Sequence, residues 1–185
     1  MNTPFETKSA DKLAFIAWLA GEFGVENQLG KKALQKLVHI AEEGLRIPTG
    51  YTFSLYTYGA FSRDLAGDLD IVKSIGGIEI EYISAENRYI VSPGKRRSDT
   101  MARAEVFLKT TEKKLDLLKE NFSGAPARYL ELFSTLLFFL KRRNENEDDN
   151  VLIQQLLMLK PKYSPEEAAK ALVEVKKFLE TAKAA

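Results

Sequence analysis

Residues Tyr51–Asp70 read YTFSLYTYGAFSRDLAGDLD, an alternating aromatic segment that passes through a glycine into an amphipathic helix. From Tyr51 to Tyr58, Phe53 and Leu55 fall on one face of an extended chain and Tyr56 and Tyr58 on the other, so a strand with both faces partly covered is expected. Gly59 then ends the strand. Ser62 stands at an N-cap position, Asp64 complements the helix dipole in the first turn, and Leu65, Leu69, Val72 and Ile75 repeat at helical spacing up to a Gly76-Gly77 stop.

Upstream of this unit the pattern predicts two helices. Ser9 caps the first, with Leu13, Ile16, Ala20 and Phe23 as its stripe and Gly24 near its end. Gly30 opens the second, which carries Leu34, Leu37, Val38, Ala41 and Leu45 and stops around Gly44. Downstream, Ile78, Ile80 and Tyr82 alternate with Glu79 and Glu81, Ala85-Glu86-Asn87 reads as a turn, and Arg88–Val91 returns as a second strand. Ser92–Thr100, SPGKRRSDT, is a turn-rich basic loop. Val106–Leu108 reads as a further short strand, with Thr110 or Thr111 capping the next helix. The alternative is one continuous helix from about Asp99, since Met101, Leu108, Leu115 and Phe122 repeat every seven residues.

Beyond Phe122 the pattern is helical throughout. Phe133, Leu136, Leu137 and Leu140 form a stripe that Phe138 and Phe139 widen to nearly all sides, which predicts deep burial or a homodimer made through the C-terminal helices. A polar connector, Lys141–Asn150, precedes a helix over Val151–Lys160, and Ser164-Pro165-Glu166-Glu167 begins the last helix with an N-cap, an N1 proline and a capping-box glutamate. The expected fold class is α+β and mostly helical. A winged-helix-like core over residues 1–122 contains a small antiparallel sheet, and residues 123–185 form a helical extension packed on it.

Composition narrows the chemistry. The chain has 185 residues, 45% of them apolar, and a net charge of +1, so only a local basic patch would argue for nucleic acid. There is no cysteine, which removes disulfides, thiolate metal sites and cysteine nucleophiles. The amino-terminal residues lack a secretory pattern, and the most apolar run, Tyr129–Leu140, is far shorter than the roughly 20 residues of a bilayer span; a cytoplasmic protein without membrane contact is expected. His39 is the single histidine and flanks an apolar helix stripe, so a Ser-His-acid nucleophile cannot be assembled without it. Asp64, Asp68 and Asp70 cluster, yet Asp64 serves the helix dipole and Asp68 belongs on a solvent face. No phosphate-loop spacing of glycines occurs. These patterns predict no enzyme, no cofactor and no metal.

Two binding surfaces remain. Lys95, Arg96 and Arg97 would act as the basic wing of a winged helix on duplex DNA, joined by Arg63 from the helix presented to the groove. Tyr56, Tyr58 and Phe61 would instead form an aromatic surface for a protein partner. The leading expectation is a non-catalytic regulator that binds DNA, and the alternative is an antitoxin-like or adaptor module.

The run Ala33-Leu34-Gln35-Lys36-Leu37-Val38, followed by Tyr51–Tyr56 and then Tyr58-Gly59-Ala60-Phe61-Ser62, Leu65-Ala66 and Asp68-Leu69, resembles the uncharacterised bacterial and archaeal YwgA-like family. More distantly it is similar to the Panacea (SocA-like) antitoxin domain, which shares an L-Q-K-L helix and a later Tyr-Gly turn. The match covers roughly residues 30 to 80, and Ala60 stands where the family's turn commonly has proline. The resemblance implies a winged-helix-like fold used as a regulator or protein-neutralising module, and it assigns no catalytic residue.

Overall fold

The structure is a computed structural model that describes residues 8–24, 29–56, 59–144 and 147–184. Its elements follow in the order α1 (Ser9–Phe23), α2 (Lys31–His39) continuing through one π-helical turn (Ile40–Gly44), β1 (Ser54–Tyr56), β2 (Gly59–Phe61), α3 (Arg63–Ser74), β3 (Ile78–Ile83), β4 (Arg88–Pro93), α4 (Arg97–Ala102), α5 (Glu105–Phe122), α6 (Ala127–Arg142), α7 (Asp149–Leu159) and α8 (Pro165–Ala184). The strands make two separate antiparallel hairpins, β1–β2 and β3–β4. This is a mostly helical α+β fold, with α1, α2 and α3 followed by the β3–β4 hairpin as in a winged helix. Among the described residues no helix is long and apolar enough to cross a membrane.

The amino-terminal helix is the centre of the assembly. Ala14, Phe15, Ile16, Ala17, Leu19 and Ala20 have no exposed surface, and α1 packs against α3, α4, α5 and the hairpin strands β3 and β4. It begins one residue earlier than a Ser9 cap would place it, because Lys8 is the cap residue and the Asp11 carboxylate accepts the Lys8 backbone N–H. Gly30 caps α2 and Gly24 ends α1, in line with the sequence pattern.

The aromatic segment folds differently from the expectation. Among the described residues of Tyr51–Tyr58 only Ser54–Tyr56 is strand, and Gly59 does not end it but starts the returning strand, pairing with Tyr56. Gly59 has φ 85°, and a side chain on it would press on the Thr135 hydroxyl and the Lys36 stem. Ser62 is the N-cap of α3, its hydroxyl accepting from Leu65 N–H at 3.4 Å. Asp68 is not simply solvated, because its carboxylate accepts the Tyr51 phenol at 2.7 Å.

Only the base of the β3–β4 hairpin belongs to the core. Ile78 and Val91 are buried and Ile80 packs against the core, whereas Tyr82, expected inside, is 49% exposed and meets the Tyr89 ring at a tilt, centroids 5.0 Å apart. The hairpin extends past the helices that would have covered Tyr82. Its tip is the Ser84–Glu86 turn with Asn87 in the left-handed region (φ 48°).

The strand expected at Val106–Leu108 is helix. Residues 97–122 form α4 and α5, interrupted at Arg103-Ala104, and the seven-residue spacing of Met101, Leu108, Leu115 and Phe122 was the governing signal. Val106 is 73% exposed, and Thr110 and Thr111 return their hydroxyls to carbonyls one turn back rather than capping.

Residues 123–184 pack on the elements before them. Phe122, Phe133 and Phe178 make edge-to-face contacts at 4.9–5.5 Å across the expected boundary, and α6 packs on α2 and β2. Phe133 and Leu137 are fully covered by the chain itself, which withdraws the main motive for burying them between subunits; Phe138 and Phe139 are partly buried. The capping box of α8 forms as the sequence predicts, with Ser164 Oγ accepting from Glu167 N–H (3.1 Å) and Glu167 accepting from Ser164 N–H (2.8 Å).

Candidate functional site

The Leu34-Gln35-Lys36-Leu37 turn of α2 alternates in purpose. Leu34 and Leu37 point into the core, while Gln35 and Lys36, each only 4% exposed, read the backbone of the Ala60–Ser62 segment. Gln35 Nε2 donates to Ser62 O at 2.9 Å, and Gln35 Oε1 accepts from Ser62 N–H at 2.9 Å. The primary amide thus pairs with both backbone groups of one residue, as an antiparallel strand would. Lys36 Nζ donates to Ala60 O. Burial pushes the Lys36 ammonium down to about 8, the nearby Glu131 carboxylate opposing that fall and the Lys160 ammonium adding to it. Glu131 itself is held between Lys160 (2.7 Å) and Lys162 (2.8 Å), which ties α6 to the α7–α8 connection.

These fixed contacts present a groove. Lys31, Lys32, Gln35 and Lys36 of α2, Tyr56 and Phe61 of the β1–β2 hairpin, and Arg63, Ala66 and Leu69 of α3 line a cavity of about 390 Å³. Tyr56 is 52% exposed and meets Phe61 edge-to-face with ring centroids 5.6 Å apart. The floor is apolar and its rim is cationic. Lys31 is partly engaged, at 3.8 Å from Asp70 and over the Tyr89 ring. Of the three aromatic residues expected on this surface the structure joins Tyr56 and Phe61, and Tyr58 lies outside the described residues.

The residues expected to bind nucleic acid are not brought together. Arg63 opens α3 and lines the groove, while Lys95-Arg96-Arg97 lies at the other end of that helix, about 18 Å away at 1.5 Å per residue. The basic run is also not in the hairpin loop. It follows β4 and turns into α4, where Arg96 N–H donates to Gly76 O at 2.8 Å. Arg97 is a structural clasp: Nε donates to Ala17 O (2.9 Å) and Nη2 to Glu22 (3.1 Å), with the guanidinium laid over Gly21, where a Cβ would come within 2.0 Å of Cζ. Lys95 and Arg96 are exposed, and Arg96 pairs with Asp99.

A Ser-His-acid trio that sequence spacing did not suggest does exist. Ser134 Oγ lies 2.9 Å from His39 Nδ1, and His39 Nε2 is 3.9 Å from Glu43. Neither Ser134 nor His39 has exposed surface, Phe53 and Phe138 flank the imidazole, and Arg142 holds the Glu43 carboxylate at 2.6 and 3.0 Å. Burial, with smaller repulsion from Arg142 and Lys36, pushes His39 down to about 3, so the imidazole is neutral and its Nε2 has no hydrogen-bond partner among the described residues. Among the described residues no group of three His, Asp or Glu side chains is placed to hold a metal ion.

No protein-family profile matches the chain. It is 24% identical over 147 residues to the uncharacterised protein YwgA of Bacillus subtilis strain 168, a likeness that covers 78% of this chain and 83% of that protein. This supports the YwgA-like resemblance over a much longer stretch than residues 30 to 80.

Proposed function

We propose that the chain is a non-catalytic interaction module of adaptor or antitoxin-like type, whose groove between α2, the β1–β2 hairpin and α3 docks a segment of a partner protein. The observation that carries this reading is the exposed Tyr56 ring meeting the half-buried Phe61 over an apolar floor, rimmed by Lys31, Lys32 and Arg63. Aromatic anchors in a desolvated pocket supply most of the affinity of such contacts, and a cationic rim selects an acidic neighbour. The partner segment therefore carries one large apolar side chain flanked by Asp or Glu.

Duplex DNA is the weaker reading on charge. The exposed side of α3 carries Asp64 and Asp70, the hairpin carries Glu79 and Glu81, and Arg97 is committed to α1. A phosphate backbone would meet like charge along the helix and the wing.

Selection from a displayed random-peptide library tests the reading. Enriched peptides should combine an aromatic or large aliphatic residue with acidic flanks, and Phe61→Ala should weaken them by tenfold or more. Enrichment of nothing, or of peptides that bind Phe61→Ala and Ala66→Trp as well as wild type, would refute it. A gel shift at low salt in which Lys95→Ala with Arg96→Ala abolishes tight duplex binding would restore the DNA reading.

A further inference from the structure

The α2 helix and its π-helical continuation run roughly 20 Å from the docking groove to a second cavity. About 610 Å³ in volume, it lies where the C-terminal ends of α6 and α8 meet the Gly44–Arg46 turn. Six cations line it, Arg46, Lys114, Lys141, Arg143, Lys176 and Lys183, against the single carboxylate of Glu180. Intramolecular pairing uses about half of that charge. Arg143 and Lys176 share Asp149, and Lys183 pairs with Glu180 at 2.8 Å. For Arg46, Lys114 and Lys141 no ion pair is formed with any carboxylate of the described residues.

Helix termini explain only part of the cluster. Lys141 and Lys183 stand in last turns, where they complement the dipoles of α6 and α8. Lys114 and Lys176 are interior to their helices, and Arg46 lies past the end of the π-helical turn. Burial holds the Lys141 ammonium below its ordinary range, with Arg46 and Lys183 adding like-charge repulsion that Glu43 offsets only in part. An anion between them would relieve that repulsion. Arg46 also occupies the left-handed region at φ 54°, just beyond a helix end, where glycine is the usual residue. Lys114 Nζ donates to its carbonyl at 3.3 Å and so fixes the turn that aims the Arg46 side chain at the cavity rim. Leu45, Leu140 and Leu179 complete an apolar wall.

We propose that this cavity binds a small polyphosphate-bearing molecule, its phosphates against Arg46, Lys114 and Lys141 and any planar or apolar moiety against Leu45, Leu140 and Leu179. The volume is that of an ordinary small-molecule site, and charge-assisted hydrogen bonds to several phosphate oxygens match the unneutralised cations. The site is separate from the docking groove and does not depend on that reading.

Isothermal titration of the full chain at physiological salt, without divalent cations, tests it with three probes: ATP, inorganic tripolyphosphate and adenosine. Both polyphosphates should bind and adenosine should not. ATP binding at least tenfold tighter than tripolyphosphate identifies a nucleotide-type ligand, and equal affinities identify the phosphate chain alone. Arg46→Gly relieves the left-handed backbone, so it should keep or raise the melting temperature while weakening both polyphosphates at least tenfold; Lys141→Met should weaken them comparably. Absence of binding at millimolar polyphosphate, or unchanged affinity in both variants, would overturn the proposal.

Discussion

Replacing Gln35 probes the contact on which the docking groove stands. In Gln35→Leu the side chain keeps nearly the same volume at a position 4% exposed, so the cavity contribution is small. What changes is the polar pairing of Ser62. Its N–H loses its acceptor inside the protein, which costs about 1–3 kcal/mol for a buried unsatisfied donor. Its carbonyl keeps the first helical bond from Ala66 N–H at 3.2 Å, so that end costs about 1 kcal/mol or less. The sum, about 1–4 kcal/mol, lowers the melting temperature by about 2–16 °C for a chain of this size. Urea unfolding followed by the fluorescence of Trp18, the single tryptophan, measures it directly. Gln35→Glu sharpens the test, because a protonated carboxyl donates to the carbonyl and accepts from the N–H as the amide does. A carboxylate does only the second and is buried. The deficit of Gln35→Glu should therefore be small at acidic pH and grow as pH rises through the ordinary carboxyl range. A Gln35→Leu protein within 0.5 kcal/mol of wild type, or a Gln35→Glu deficit that is flat with pH, would refute the account of the motif.

The remaining expectations concern the clasp and the buried imidazole. Arg97→Ala should cost about 2 kcal/mol, since charge-assisted bonds to Ala17 O and Glu22 are lost, while Lys95→Ala stays within about 0.5 kcal/mol. Gly21→Ala should destabilise the wild type by expelling the guanidinium, yet stabilise Arg97→Ala by up to about 1 kcal/mol, the helix preference of alanine over glycine. Additive effects in that double-mutant cycle would show that the two residues do not touch. The His39 pKa falls from an unfolded value near 6.5 to about 3, so its contribution to stability is complete above about pH 6.5 and declines as pH falls toward 3. The slope is about 1.4 kcal/mol per pH unit for one proton, and His39→Gln should remove that slope from urea titrations between pH 6.5 and 4.

What could be read from the chain in advance was what is local. Periodicity placed α1, α2, α3 and the β3–β4 hairpin, and the Ser164–Glu167 box placed the start of α8. The errors arose where a contact far along the chain sets the outcome. Gln35 meets Ser62 across 27 residues and His39 meets Ser134 across 95, and neither separation leaves a spacing signal. Arg97 looked like one cation in a basic run because nothing local shows that Gly21, far upstream, leaves room for it. Val106-Phe107-Leu108 has strand-like composition, but the stripe from Met101 to Phe122 buries more apolar surface as a helix than a short strand would. For the candidate site, the sequence pattern names Tyr56 and Phe61 as one surface but assigns Arg63 to a DNA contact with Lys95–Arg97, whereas the structure sets Arg63 beside the two rings and adds a cationic rim from α2 that no spacing signals.

The central placement of α1 also sets a timetable for synthesis. Its wholly apolar face, Ala14 to Ala20, has its closest neighbours in α4, and the Arg97 clasp is what fastens the two. A ribosome adding 5–20 residues per second needs about 4–15 s to pass from the end of α1 to Arg97. Throughout that interval the apolar helix lacks its α4 cover and meets α3 and the β3–β4 hairpin only as they emerge, which makes it the segment that a holding chaperone would meet first.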